Sequence, residues 1–120
     1  MLRRAIKVGK VAGPYSPAIE TSRKKQIFVS GQIASNLDAD IQTQTREIIN
    51  KIEAILGEAE AFLSDIAKTT IYLVDMNDFS AVNEEYAKYF PSDPPARATI
   101  QVAALPLGAR IEIEAIAARD

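Results

Sequence analysis

IQTQTREIINKIEAILGEAEAFL (41–63), followed closely by IAKTTIYLV (66–74), holds the change of rhythm that decides the fold. In the first segment Ile41, Ile48, Ile49, Ile52, Ile55, Leu56, Ala59 and Leu63 fall on one stripe of a 3.6-residue period. Arg46, Glu47, Asn50, Lys51 and Glu53 lie opposite, which is an amphipathic helix. Asp40 stands where an N-cap belongs, and Gly57 weakens the last turns by about 1 kcal/mol relative to Ala. The second segment is rich in β-branched residues and reads as a strand.

Working outward, Asn36–Asp40 is a loop, and Gln26-Ile27-Phe28-Val29-Ser30 is a strand closed by Gly31. Arg23-Lys24-Lys25 reads as a charged hairpin tip, Gly13-Pro14-Tyr15-Ser16-Pro17 as a rigid turn, and residues 1–12 as one short strand. On the other side a second helix begins near Asn77, its expected N-cap. Phe79, Val82, Tyr86 and Phe90 form its apolar stripe and Pro91 stops it. Strands at 96–104 and 110–117 follow, joined by a turn around Pro106-Leu107-Gly108. The order β-β-α-β-α-β-β gives an α+β domain over 1–120, with two helices on one face of a single mixed β-sheet. No element remains to cover the other face, so a partner subunit is expected there.

Composition narrows the chemistry. The 120 residues include no His, no Cys and no Trp, which excludes Ser-His-Asp and Cys-His triads, thiolate nucleophiles, Cys/His zinc sites and disulfides. Fourteen Lys and Arg against sixteen Asp and Glu give a net charge of −2, too balanced for a dedicated nucleic-acid binder. No apolar run approaches the ~18–20 residues of a membrane span. The basic start MLRRAIKVGK has no signal-peptide core, and the turn at 13–17 leaves little room for a removable leader, so the cytoplasm is expected.

The last two strands carry an unusual pattern. Alternation places Arg97, Thr99 and Gln101 on one face of the first, with Ala98, Ile100 and Val102 on a core-facing side. In the second, Glu112 and Glu114 share a face opposite Ile111 and Ile113. Pairing the two strands brings an arginine fork suited to a carboxylate beside a glutamate able to move protons on water. The same pattern also describes a solvated face with cross-strand charge pairs, each worth under ~1 kcal/mol. Glu112 and Glu114, roughly 6.5–7 Å apart along one strand, project the same way and cannot flank a glycosidic bond. Nothing in the sequence supplies a desolvating pocket for Lys68 or Lys88, and no phosphate-loop pattern occurs.

GPYSP (13–17), FVSGQIA (28–34), KTTIYLVDMNDFSAVNEEYAKYF (68–90) and PPARATIQVAALPLGARIEIEAIA (94–117) together resemble the RidA (YjgF) family nearly end to end. The resemblance implies a chorismate-mutase-like subunit in a homotrimer with ligand clefts between subunits. It implies hydrolysis of reactive 2-imino acids, formed from 2-aminoacrylate or 2-aminocrotonate released by pyridoxal-phosphate enzymes, to 2-keto acids and ammonia. Arg97 then clamps the substrate carboxylate, and Glu112, not Glu114, activates the water. Tyr15, Ser30, Gly31, Asn83 and Thr99 complete the implied substrate site, Thr99 through backbone groups where relatives often have Cys. No metal and no cofactor is implied. A departure from the family is Glu60, where relatives often end the first helix with Gly. A carboxylate-sensing trimer without turnover and an RNA-cleaving translation inhibitor are the alternative functions.

Overall fold

The computed structural model describes residues 2–120. Helix α1 spans Ile41–Glu58, and the Asp40 carboxylate accepts a hydrogen bond from the Thr43 amide at 2.7 Å, as its N-cap position demands. Ile41, Ile48, Ile49, Ile52 and Leu56 are buried along its stripe, while Ile55 is 39% exposed and falls off the edge of it. The helix stops at Glu58 and not at Leu63. The chain reverses at Glu60, whose φ is +59°, and the amides of Glu60 and Ala61 return to the carbonyls of Gly57 and Leu56. Leu63 opens a separate 3-10 turn.

Six strands form two sheets rather than one. β1 (Arg3–Ile6) and β2 (Ala18–Thr21) make a two-stranded antiparallel ribbon. β3 (Lys25–Gln32), β4 (Ile66–Leu73), β5 (Ala96–Gln101) and β6 (Ile111–Arg119) make a mixed sheet in the order β3-β6-β4-β5. Arg23-Lys24-Lys25 is therefore not a hairpin tip, because β2 pairs with β1 and β3 with β6. Arg23 turns inward instead, donating to the Asp65 carboxylate at 2.8 Å and to the Ala118 carbonyl.

β5 and β6 are likewise not a hairpin. β4 lies between them, parallel to β5 and antiparallel to β6. The connecting segment wraps the end of β4: Val102 donates to the Leu73 carbonyl, and Val74 donates to the Arg110 carbonyl. Parallel strands need a crossover element, and helix α2 (Phe79–Ala87) supplies it between β4 and β5. A 3-10 turn at Met76–Asp78 leads into α2, capped by the Asp75 carboxylate on the Asn77 amide, so Asp75 takes the capping role expected of Asn77.

Both helices lie on one face of the mixed sheet. Ile48, Ile49, Ile52, Leu56, Val82 and Tyr86 pack with Ile71, Leu73, Ile111, Ile113 and Ala115. On the opposite face Phe28 is 70% exposed, Ile100 45% and Ile116 38%. The faces of β5 are the reverse of the expected ones. Arg97 and Thr99 lie beside buried Thr69 and Ile71 on the helix side, and Ile100 is left in the open. A strand at a sheet edge meets the margin of the helix layer, where a long cation can enter among aromatic rings. No helix among the described residues is long and apolar enough to cross a membrane.

Candidate active site

The first group of site residues gathers at the β5 edge. The Ser16 amide donates to the Pro95 carbonyl at 3.1 Å and the Ser16 hydroxyl bonds the Pro94 carbonyl. These bonds fasten the turn at 13–17 to the start of β5, joining segments about eighty residues apart. Tyr15 is held in place by its hydroxyl, which accepts from the Ala12 amide at 3.1 Å. The Arg97 guanidinium carbon lies 5.2 Å from the Tyr15 ring centre, 5.2 Å from Tyr86 and 5.7 Å from Phe79. Gly13 presses on the same spot: a Cβ there would stand 3.1 Å from Arg97 Nη2 and 3.1 Å from Asn83 Nδ2.

Arg97 is half-buried, and among the described residues no carboxylate pairs with it. Burial pulls its pKa below the usual arginine value, with Tyr86 and Tyr15 opposing. An arginine nonetheless stays charged. Its Nη1, Asn83 Oδ1 and Thr99 Oγ1 are all buried without a hydrogen-bond partner. Burying an unpaired charge and two unpaired polar atoms is costly, and of the three the guanidinium and the Thr99 hydroxyl are chemically able to donate to an anionic acceptor. Tyr86 is fully enclosed, its hydroxyl 2.8 Å from the Thr69 hydroxyl, and burial pushes its pKa up to about 12. It is a neutral ring at any ordinary pH.

The second group sits on the bare face. The register shift between Val29 and Gln32 places Ser30 and Gly31 in an exposed irregularity of β3. The Glu112 carboxylate lies directly over Gly31: an added Cβ would fall 2.1 Å from Oε2 and 2.7 Å from Cδ. Glu114 on the same face is already engaged, since the Tyr72 hydroxyl donates to it at 2.5 Å. That bond is also the main reason the Tyr72 hydroxyl titrates above its usual value. Of the two glutamates, Glu112 is the one left to meet a ligand.

Arg97 aligns with Thr69 and Glu112 with Tyr72, adjacent-parity positions of β4, so the two point to opposite sides of the sheet. One chain thus does not bring the arginine and the glutamate together, contrary to the paired-strand expectation. The expected site residues fall into two separate groups: Tyr15, Asn83, Arg97 and Thr99 at the β5 edge, and Ser30, Gly31 and Glu112 on the bare face. Three recesses of similar size open on the surface, one of them, of about 230 Å³ and lined by Arg3, Ser64, Tyr89 and Phe90, away from both groups. One of about 290 Å³ is lined by Val11, Pro14, Tyr15, Pro17 and Pro94. Another of about 240 Å³ is lined by Phe28, Lys68, Thr70, Glu114 and Ile116.

Gly13, Phe79 and Tyr86 were not among the sequence candidates. Phe79 and Tyr86 announce themselves only as members of a helical apolar stripe, and nothing in that spacing reveals a cation above the rings. Gly13 sits in a quoted motif, yet its φ is not in the left-handed region, so its role is purely the close approach of Arg97 and Asn83.

A mixed sheet backed by two helices, here with an unpaired arginine at one edge and a carboxylate over a glycine on its bare face, is the frame of a Rid-type subunit. A family model described as Endoribonuclease L-PSP matches residues 5–119, and the chain belongs to that family, the YjgF/RidA proteins. The human 2-iminobutanoate/2-iminopropanoate deaminase is 40% identical over 126 residues, covering 98% of this chain and 90% of that protein. Protein DfrA of Myxococcus xanthus is also 40% identical, covering 98% of this chain and 96% of the relative. The crystal structure of YyfB from Yersinia pestis, a Rid-family protein of unknown function, superposes with a TM-score of 0.84 at 28% identity. It covers 98% of this chain and 99% of the other.

Proposed function

We propose that the protein hydrolyses 2-imino acids to 2-keto acids and ammonia, in clefts between the subunits of a homotrimer. The observation that carries this reading is Arg97: a half-buried guanidinium with no carboxylate partner, beside two orphaned polar atoms. A ligand carboxylate answers the unpaired guanidinium, taking the fork bidentately, and can accept from the Thr99 hydroxyl. The name of the human relative supplies the substrate class. The exposed apolar face, with Phe28 at 70% exposure, supports burial against another copy, which also allows one subunit's Arg97 to meet Glu112 of the partner subunit.

The chemistry asks little of the protein. With the carboxylate clamped by Arg97, C2 of the protonated imine is presented to a water held by Glu112 of the partner subunit. Water adds to C2 and gives a proton to the Glu112 carboxylate. Glu112 passes that proton to nitrogen, the C–N bond breaks, and the hydroxyl returns a proton to Glu112 as it closes to a carbonyl; the departing ammonia takes that proton and leaves as ammonium. Protonated imine and water become keto acid and ammonium, with no electrons gained or lost. Orientation supplies several kcal/mol of the acceleration.

A coupled assay tests the proposal. A serine/threonine dehydratase generates the imine while semicarbazide competes for it. The protein is expected to lower the semicarbazone yield and Arg97→Ala to restore it. Binding of 2-oxobutanoate with no effect on the yield would replace hydrolysis by carboxylate sensing.

A further inference from the structure

The surroundings of Arg97 pose a question that the reaction alone does not answer: what holds a partly desolvated cation in place when no acid does? We propose that Phe79 and Tyr86 are positioning residues, forming with Tyr15 an aromatic cage that takes the place of a counter-ion. This inference rests on the reading of Arg97 as a carboxylate anchor, and it names residues that neither the sequence motifs nor the comparisons assign.

Three ring centres lie 5.2, 5.7 and 5.2 Å from the guanidinium carbon, all within the range of cation–π attraction. A carboxylate at the same place would neutralise the charge and occupy the N–H donors. Rings attract the cation without accepting those donors, and Arg97 Nη1 is indeed unpartnered. The donors are therefore left without a protein acceptor while the orientation of the guanidinium is constrained.

The cage is itself fixed. Tyr86 has no exposed surface, bonds Thr69 through its hydroxyl, and packs on Phe90 with ring centres 4.6 Å apart. Phe79 opens α2, and the preceding Asp78 receives two hydrogen bonds from Arg110 Nη2, each at 3.0 Å. That ion pair ties the start of α2 to the start of β6.

The test is calorimetric titration with 2-oxobutanoate alongside thermal unfolding, on wild type, Tyr86→Leu, Phe79→Leu, Thr69→Val and Arg97→Ala. Leucine keeps apolar bulk and removes the ring face. The cage predicts about tenfold weaker binding for Phe79→Leu and for Tyr86→Leu. Thr69→Val strips the Tyr86 hydroxyl of its partner and keeps the ring, so it lowers the unfolding midpoint with little change in affinity. A purely structural role predicts instead that affinity follows the unfolding midpoint across the series. That result, or wild-type affinity in a folded Phe79→Leu, overturns the cage while leaving the Arg97 anchor standing. Should Tyr86→Leu fail to fold, the half-buried Phe79 position decides alone. No binding by wild type, or equal binding by Arg97→Ala, removes the anchor and the cage with it.

Discussion

Gly31→Ala isolates the glutamate half of the site. The new Cβ falls 2.1 Å from Glu112 Oε2, whereas ordinary van der Waals contact begins at 3.4 Å, so the carboxylate must retreat by about 1.3 Å. It can do so because the obstructed atoms are the far end of a flexible side chain on an open face. Stability should therefore change by less than about 1 kcal/mol, the scale of replacing a glycine in a strand. Catalysis is far less tolerant, since a misplacement of roughly 1 Å costs about 100-fold in rate. The expected variant folds normally, binds 2-oxobutanoate through Arg97 with wild-type affinity, and turns over about 100-fold more slowly in the semicarbazide assay. Turnover within a few-fold of wild type would refute the assignment of Glu112 over Gly31 as the reacting carboxylate.

Three further outcomes follow from particular contacts. Arg97→Lys should lose most activity, chiefly through a higher KM, because an ammonium cannot reproduce the planar fork; near-normal steady-state kinetics would sink the bidentate clamp. Glu60→Gly should raise the unfolding midpoint by a few degrees, since Glu60 holds a φ of +59° and its 3.9 Å contact with Arg119 is made from an 86% exposed side chain. An unchanged or lower midpoint by calorimetry would contradict that. Glu85 is buried, which pushes its pKa up, but hydrogen bonds from Lys88 and Tyr89 and the charges of Lys88 and Arg46 outweigh burial and leave it lowered. Its folded pKa thus lies below its unfolded one, so its contribution to stability is complete above about pH 4.5 and is lost as pH falls through the folded value. Urea midpoints measured from pH 6 to 3 should drop more steeply for wild type than for Glu85→Gln, and parallel curves would exclude the effect.

The helical period at 41–58 and the β-branched run at 66–73 are legible in the chain because each is a local pattern, whereas most of the expected site residues come from the family motifs and not from spacing. What misleads is long-range. The Leu105–Gly108 turn resembles a hairpin turn, yet the strands it joins are neighbours of β4 and not of each other. Alternation in β5 sorts Arg97 from Ala98 correctly but cannot say which side is inward, and apolarity points the wrong way at an edge where aromatic rings receive the arginine. The Asp75 cap likewise depends on a 3-10 turn ahead of the helix, whose extra residues displace the start expected at Asn77. The separation of Arg97 from Glu112 emerges only from strand order and register together.

That separation makes subunit complementation the most direct test of the central claim. Arg97→Ala and Glu112→Gln, each inactive alone, are mixed in equal amounts under conditions of subunit exchange, with mixed assembly verified by native mass spectrometry. A site shared between two chains regains an intact arginine and an intact glutamate in about one quarter of random pairings, so about one quarter of wild-type imine hydrolysis should return. Mixed assemblies that stay as inactive as the separate variants would show that the two residues do not act across a subunit boundary.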